Sequence, residues 1–101
     1  MLDREFFLWF IKIHILYHAS KEPIFGVEIV LELARYGYSI SPGTLYPTLH
    51  RLEREGYLRS NPKVVNGRMR KYYLATAKGK LVLEQARERI RELVTEVLEE
   101  K

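Results

Sequence analysis

The chain has 101 residues, of which 47% are hydrophobic and 30% charged, with a net charge of +4 and no cysteine. Such a chain fits one folded domain with a thin core, and it excludes both a disulfide framework and a cysteine-based zinc site. The apolar stretch from Phe6 to Tyr17 is too short for a bilayer and is broken by Lys12 and His14. No membrane segment or secretory signal is therefore expected.

Asp3 can cap a first helix running to about Ala19, with Glu5 in its first turn and Pro23 beyond its end. This helix is apolar almost all round, whereas a helix at the edge of a monomer should keep one wet face. Phe6, Trp9, Phe10 and Ile13 are accordingly expected to meet a second chain. His14 and His18 lie four apart, the spacing of a two-histidine metal site, but no Glu follows His14 and no third ligand is evident. They read as core or interface residues, with no metal and no cofactor.

A second helix is expected from about Phe25 to Tyr36, with Ile29, Val30 and Leu33 inward and Gly37 as its stop. The next stretch, "SPGTLYPTLHRLEREG", sets a leucine stripe (Leu45, Leu49, Leu52) behind three residues that oppose helix: Pro42, Gly43 and Pro47. Two caps fit. Either Ser41 caps, with Pro42 at the first position and Pro47 costing an interior bond, or Thr44 caps and Pro47 falls in the first turn. With the leucines inward, Thr44, Pro47, Thr48 and Arg51 face outward and Tyr46 sits to the side.

Tyr57–Val65 and Arg68–Ala75 read as strands flanking Asn66-Gly67, the dipeptide suited to a type I′ hairpin turn. Thr76 then caps a last helix reaching nearly to Lys101. Leu83, Ala86, Ile90, Leu93 and Val97 follow a 3-4-3-4 spacing, broadened by Val94 and Leu98. At about 24 residues this helix would be roughly 36 Å long, longer than so small a domain covers, so pairing with a second protomer is expected. Its six bases, Lys101 included, balance six acids.

Charge is concentrated elsewhere. From Ser41 to Thr76 seven bases face two acids, and from Arg59 to Lys71 there are five bases and no acid. A basic segment of this kind favours a polyanion. The order of elements predicts a mainly α chain with a small β-hairpin: a winged helix-turn-helix over residues 1–76, first helix included, followed by a dimerisation helix over 77–101. In that plan the third helix enters the major groove and the hairpin follows the backbone. Thr44, Tyr46, Thr48 and Arg51 are then the candidates for direct DNA contact, with Ser41 near a phosphate. Lys63, Arg68, Arg70 and Lys71 would neutralise phosphates. A structural role for Arg51, paired with Glu55 four residues on, is the alternative for that residue.

Three stretches, "PIFGVEIVLEL", "SPGTLYPTLHRLEREGYL" and "GRMRKYYLATAKG", together resemble the PadR family of transcriptional regulators over roughly residues 8 to 83. The chain departs from the family pattern in three places: Val27 replaces an aromatic, Phe25 replaces a histidine, and Leu74-Ala75 replaces a polar residue followed by leucine. The resemblance implies a homodimeric repressor of the short subgroup, acting on a palindromic operator in double-stranded DNA. It also implies a small aromatic effector, for which Trp9 and its neighbours would supply walls at the dimer interface. No catalytic arrangement is found. The rival reading is a winged-helix module for protein–protein interaction without specific DNA binding.

Overall fold

The computed structural model describes residues 3–100, so Lys101 lies outside the described residues. Helix α1 spans Arg4–Lys21, two residues beyond the expected end. Asp3, in extended conformation, caps it by accepting the Phe6 N–H at 3.1 Å. Helix α2 spans Gly26–Arg35, with Phe25 and Tyr36 as its caps rather than its end residues. The Glu28 carboxylate accepts the Phe25 N–H at 3.0 Å. At the far end Gly37 takes φ +84°, a value that favours glycine, and Tyr38 N–H returns to the Leu33 carbonyl.

Helix α3 spans Pro42–Arg54. Strands β1 (Leu58–Val65) and β2 (Arg68–Ala75) then pair antiparallel, from Leu58 opposite Ala75 to Val65 opposite Arg68. The turn is the expected one, with Asn66 at φ 53° and Gly67 at φ 76°. Ile24 adds a bridge on the other side of β2 through two hydrogen bonds with Tyr73, so the α1–α2 connection acts as a short third strand. The whole is a winged helix-turn-helix with a long C-terminal helix.

The core is where all five elements converge. Ile11 and Ile15 of α1, Leu33 of α2, Leu45 and Leu49 of α3, and Leu58 and Tyr73 of the hairpin are essentially fully buried. Each such side chain contributes about 1.5–3 kcal/mol relative to exposure.

Helix α4, Ala77–Leu93, is latched to the body at its start. Thr76 accepts the Gly79 N–H at 3.1 Å on its hydroxyl and donates that hydroxyl to the Gly56 carbonyl at 2.6 Å. Its own N–H reaches the Tyr57 carbonyl at 3.0 Å, and Lys78 Nζ reaches the Glu55 carbonyl at 2.8 Å. Gly79 packs so closely that a Cβ there would lie 2.1 Å from the Tyr57 oxygen.

The long last helix is present as expected, and over Val94–Leu98 it continues as a π-helical turn that rotates the apolar stripe. One expectation for it is corrected: Leu83 is not available to a second chain, because at 4% exposure it fills this chain's own core, where the start of α4 is held against α1. Ala86 and Ile90 are half-buried, and only from Leu93 onward is the stripe open, with Leu93 51% and Val97 62% exposed. This free end stretches the molecule to 54 Å in one direction against 30 and 20 Å in the others.

Candidate nucleic-acid interface

The leading end of α3 is exposed between the buried Ile40 and Leu45. Ser41 is the cap, in extended conformation, with Pro42 at the first helical position. Its carbonyl accepts both the Thr44 N–H (3.0 Å) and the Leu45 N–H (2.9 Å), while its hydroxyl contacts that of Thr44 at 3.4 Å. Pro47 is therefore interior, and the Gly43 carbonyl loses the α-helical donor that residue 47 would have supplied. Pro42 has no N–H to offer, so Gly43 carries the free donor at this end. Ser41, Pro42, Gly43 and Pro47 are exposed and Thr44 is half-buried. The end is slim, with one hydroxyl pair and one backbone donor facing out, a form suited to an anion.

Thr48 is not outward. It is 7% exposed and donates its hydroxyl to the Thr44 carbonyl at 2.8 Å. Residues 45, 48, 49 and 52 form one inward stripe at helical spacing, and returning the hydroxyl to the backbone removes the cost of burying it. Tyr46 is 42% exposed and lies over the start of α2. A Cβ at Gly26 would meet its hydroxyl at 2.7 Å, so the glycine permits this seat. Arg51 is exposed and makes no ion pair with Glu55, which leaves its guanidinium free.

Two grooves flank α3. One, about 490 Å³, lies between α3 and the free edge of β2, lined by Tyr46, His50, Phe25, Met69 and the bases Arg68, Arg70 and Lys71. Tyr73 forms its floor, and burial, reinforced by Glu53 and Tyr46, pushes that phenol's pKa up. The other, about 520 Å³, lies between α3 and α1; Thr44, Pro47, Arg51 and Arg54 line its α3 side. His50 borders both.

The wing bases divide between the hairpin's two faces. Lys71 shares a face with Tyr73, whereas Lys63, Arg68 and Arg70 share the other with Tyr72. Lys63 stands directly opposite Arg70, a like-charge pairing that weakens a sheet. Aromatic rings hold the two apart: Lys63 Nζ sits 5.3 Å from the Tyr72 ring centre and the Arg70 guanidinium 4.7 Å from that of Phe25.

The bases of α3 and the hairpin differ in their pairing from the arginines of α4. On α4, Arg87, Arg89 and Arg91 each pair with a glutamate three residues away. Among the described residues, none of Arg51, Arg54, Lys63, Arg68, Arg70 and Lys71 has a carboxylate partner.

Helix α1 also exposes apolar surface. Phe6 is 62% exposed, and Trp9 and Phe10 meet edge to face at 5.2 Å, while Ile13 is half-buried against the core. His14 packs against Tyr36, Tyr38 and His18, and burial, with the His18 charge second, lowers its pKa. Among the described residues no group of three His, Cys, Asp or Glu side chains suits a metal ion, and no helix is long and apolar enough to cross a membrane.

Residues 15–85 match the model of the transcriptional regulator PadR-like family. The transcriptional regulator Rv3488 of Mycobacterium tuberculosis is 48% identical over 95 residues, covering 94% of this chain and 89% of its own. Among solved structures, a PadR-like transcription factor from Bacteroides fragilis superposes with a TM-score of 0.84 at 28% identity, covering 96% of this chain and 95% of its own. A PadR-like transcriptional regulator from Bacillus cereus superposes with a TM-score of 0.80 at 32% identity, covering 88% of each chain.

Proposed function

The chain belongs to the PadR-like family of transcriptional regulators, and from that premise we propose that it acts as a homodimeric, DNA-binding repressor. It is a regulator and not an enzyme. The observation that carries the reading is the concentration of cations without carboxylate partners on α3 and the hairpin, beside the slim leading end of α3. An unpaired, like-charged surface is unfavourable on its own and is relieved by a polyanion.

On this reading residues 1–76 contact DNA and residues 77–101 join two protomers. Thr44, Tyr46 and Arg51 meet base edges, and Ser41 meets a phosphate. Lys63, Arg68, Arg70 and Lys71 hold the backbone. Thr48 acts from within, fixing the turn that carries Thr44. The interface is assigned to Phe6, Trp9, Phe10 and Ile13, to the half-buried Ala86 and Ile90 of the α4 stripe and to its open end, Leu93 and Val97, with Leu83 removed. Twofold symmetry then gives a palindromic site with half-sites about 34 Å apart. The exposed Trp9–Phe10 pair supplies a wall for a small aromatic effector, and the site of action is the cytoplasm.

Arg68→Ala with Arg70→Ala should weaken binding on every duplex and flatten its salt dependence. An unchanged salt slope would remove the wing from the interface. Quenching of Trp9 by an aromatic acid, with concomitant loss of DNA binding, tests the effector; fluorescence unmoved by a panel of such acids counts against it.

A further inference from the structure

We propose that α1 carries a second phosphate clamp, formed by Arg4 and Lys12 across the groove that separates α1 from α3. The proposal rests on the DNA-binding reading above and adds to it residues that lie far from the wing. Arg4, Leu8 and Lys12 are spaced four apart, so they form one stripe along α1. That stripe faces Thr44, Arg51 and Arg54 of α3 across a groove of about 520 Å³.

The chemistry of the groove is one-sided. Four cations line it and no carboxylate does. Of the two acids beside Arg4 in sequence, Asp3 has its carboxylate committed to the Phe6 N–H at 3.1 Å, and Glu5 does not line the groove. None of Arg4, Lys12, Arg51 and Arg54 has an ion-pair partner among the described residues, although the arginines of α4 all find one. Leu8, Thr44, Pro47, Thr48 and His50 supply the rest of the lining, and the Thr48 hydroxyl already donates to the Thr44 carbonyl. Cations with no internal partner around a weakly polar base suit a chain of external anions.

The spacing suits a nucleic-acid strand. Eight residues of α-helix separate Arg4 from Lys12 by about 12 Å along the axis. A strand advances about 3.4 Å along the duplex axis per nucleotide, so with α1 lying along that axis the two cations would fall three to four nucleotide steps apart. The wing-side groove lies on the other flank of α3, and His50 borders both. A helix seated in the major groove has one sugar-phosphate strand on each side. The wing takes one strand and α1 takes the other.

The test is the salt dependence of binding to a labelled 30-base-pair duplex of mixed sequence, chosen because phosphate contacts do not depend on sequence. Arg4→Gln with Lys12→Gln should lower the magnitude of the log–log salt slope by about 1.8 for each bound protomer, at about 0.9 per phosphate contact. Arg4→Lys with Lys12→Arg should keep the slope, which a merely structural role for these side chains would not require. Arg89→Gln with Arg91→Gln removes the same charge from α4 and should leave the slope unaltered.

A slope unchanged in the Gln pair, while the parent chain binds in a salt-dependent way, overturns the α1 clamp and leaves the wing reading intact. An equal fall in the α4 pair also overturns it, since net charge alone would then be the cause. A parent chain that does not bind the duplex at any salt concentration overturns the DNA-binding reading and the clamp with it.

Discussion

Gly79→Ala separates two physical effects that point in opposite directions. By helix propensity alone, alanine in place of glycine should stabilise α4 by up to about 1 kcal/mol. The structure demands the reverse, because the new methyl would sit 2.1 Å from the Tyr57 carbonyl oxygen, 3.1 Å from its carbon and 3.4 Å from Leu16 Cδ2. Backbone cannot rotate away as a side-chain tip can, so the start of α4 must move outward. That shift strains the Thr76 N–H bond to the same Tyr57 oxygen and the cap between Thr76 and Gly79.

Overpacking costs about 1–3 kcal/mol and a weakened hydrogen bond about 1 kcal/mol more. Set against the propensity gain, the net loss is about 2 kcal/mol, or roughly 10 °C in Tm for a domain of this size. Thermal unfolding followed by circular dichroism at fixed protein concentration measures it. A Tm equal to or above that of the parent would show that α4 does not press on Tyr57.

Gly43→Ala is the informative counterpart, since a Cβ there has only Ser41 Oγ within 4 Å, at 3.8 Å. It should raise stability by about 0.5 kcal/mol and lower DNA affinity by about tenfold, roughly 1.4 kcal/mol; undiminished affinity would show that DNA does not approach this end closely. Leu93→Glu with Val97→Glu should weaken self-association at least about a hundredfold, given about 1.5–3 kcal/mol per buried aliphatic side chain. Sedimentation unchanged from the parent would exclude the open end of α4 from the dimer.

The His14 pKa is lowered in the fold, so the unfolded chain takes up its proton first as pH falls. Its stabilising contribution is complete above the unfolded value near 6.5 and is lost on acidification below it. The parent's Tm should therefore drop more than that of His14→Gln between pH 7.5 and 5.5. Parallel Tm curves would contradict the burial of this imidazole.

Features with local causes were legible in the sequence. Asn66-Gly67 needs only its own positive φ angles to set the hairpin, and the Asp3, Thr76 and Gly37 helix ends depend on groups within a few residues. The choice between Ser41 and Thr44 turned on where the chain enters α3, which no residue type decides; the extended Ser41 settles it. Thr48 is polar, yet it lies three residues from Leu45 and four from Leu52, and that spacing turns it inward. Tyr46 against Gly26 is a contact across twenty residues, invisible to any local pattern.

The π turn at Val94–Leu98 has no proline or glycine to announce it. Leu83 belongs by spacing to the outer seam and by packing to the core, and only the latch at Thr76–Gly79 decides between them. The 4-8-12 stripe of α1 was present in the sequence but hidden by a helix that is apolar on nearly every side.

The central claim is that the cationic face around α3 binds DNA with a sequence preference. It is tested most directly by fluorescence anisotropy on a labelled duplex from upstream of the protein's own gene, against a scrambled duplex, at 50 and 200 mM salt. The account predicts tighter binding to the upstream duplex at both concentrations, with a loss of about a hundredfold or more at the higher salt from four or more phosphate contacts. Binding that is absent, or that ignores both salt and sequence, would contradict it.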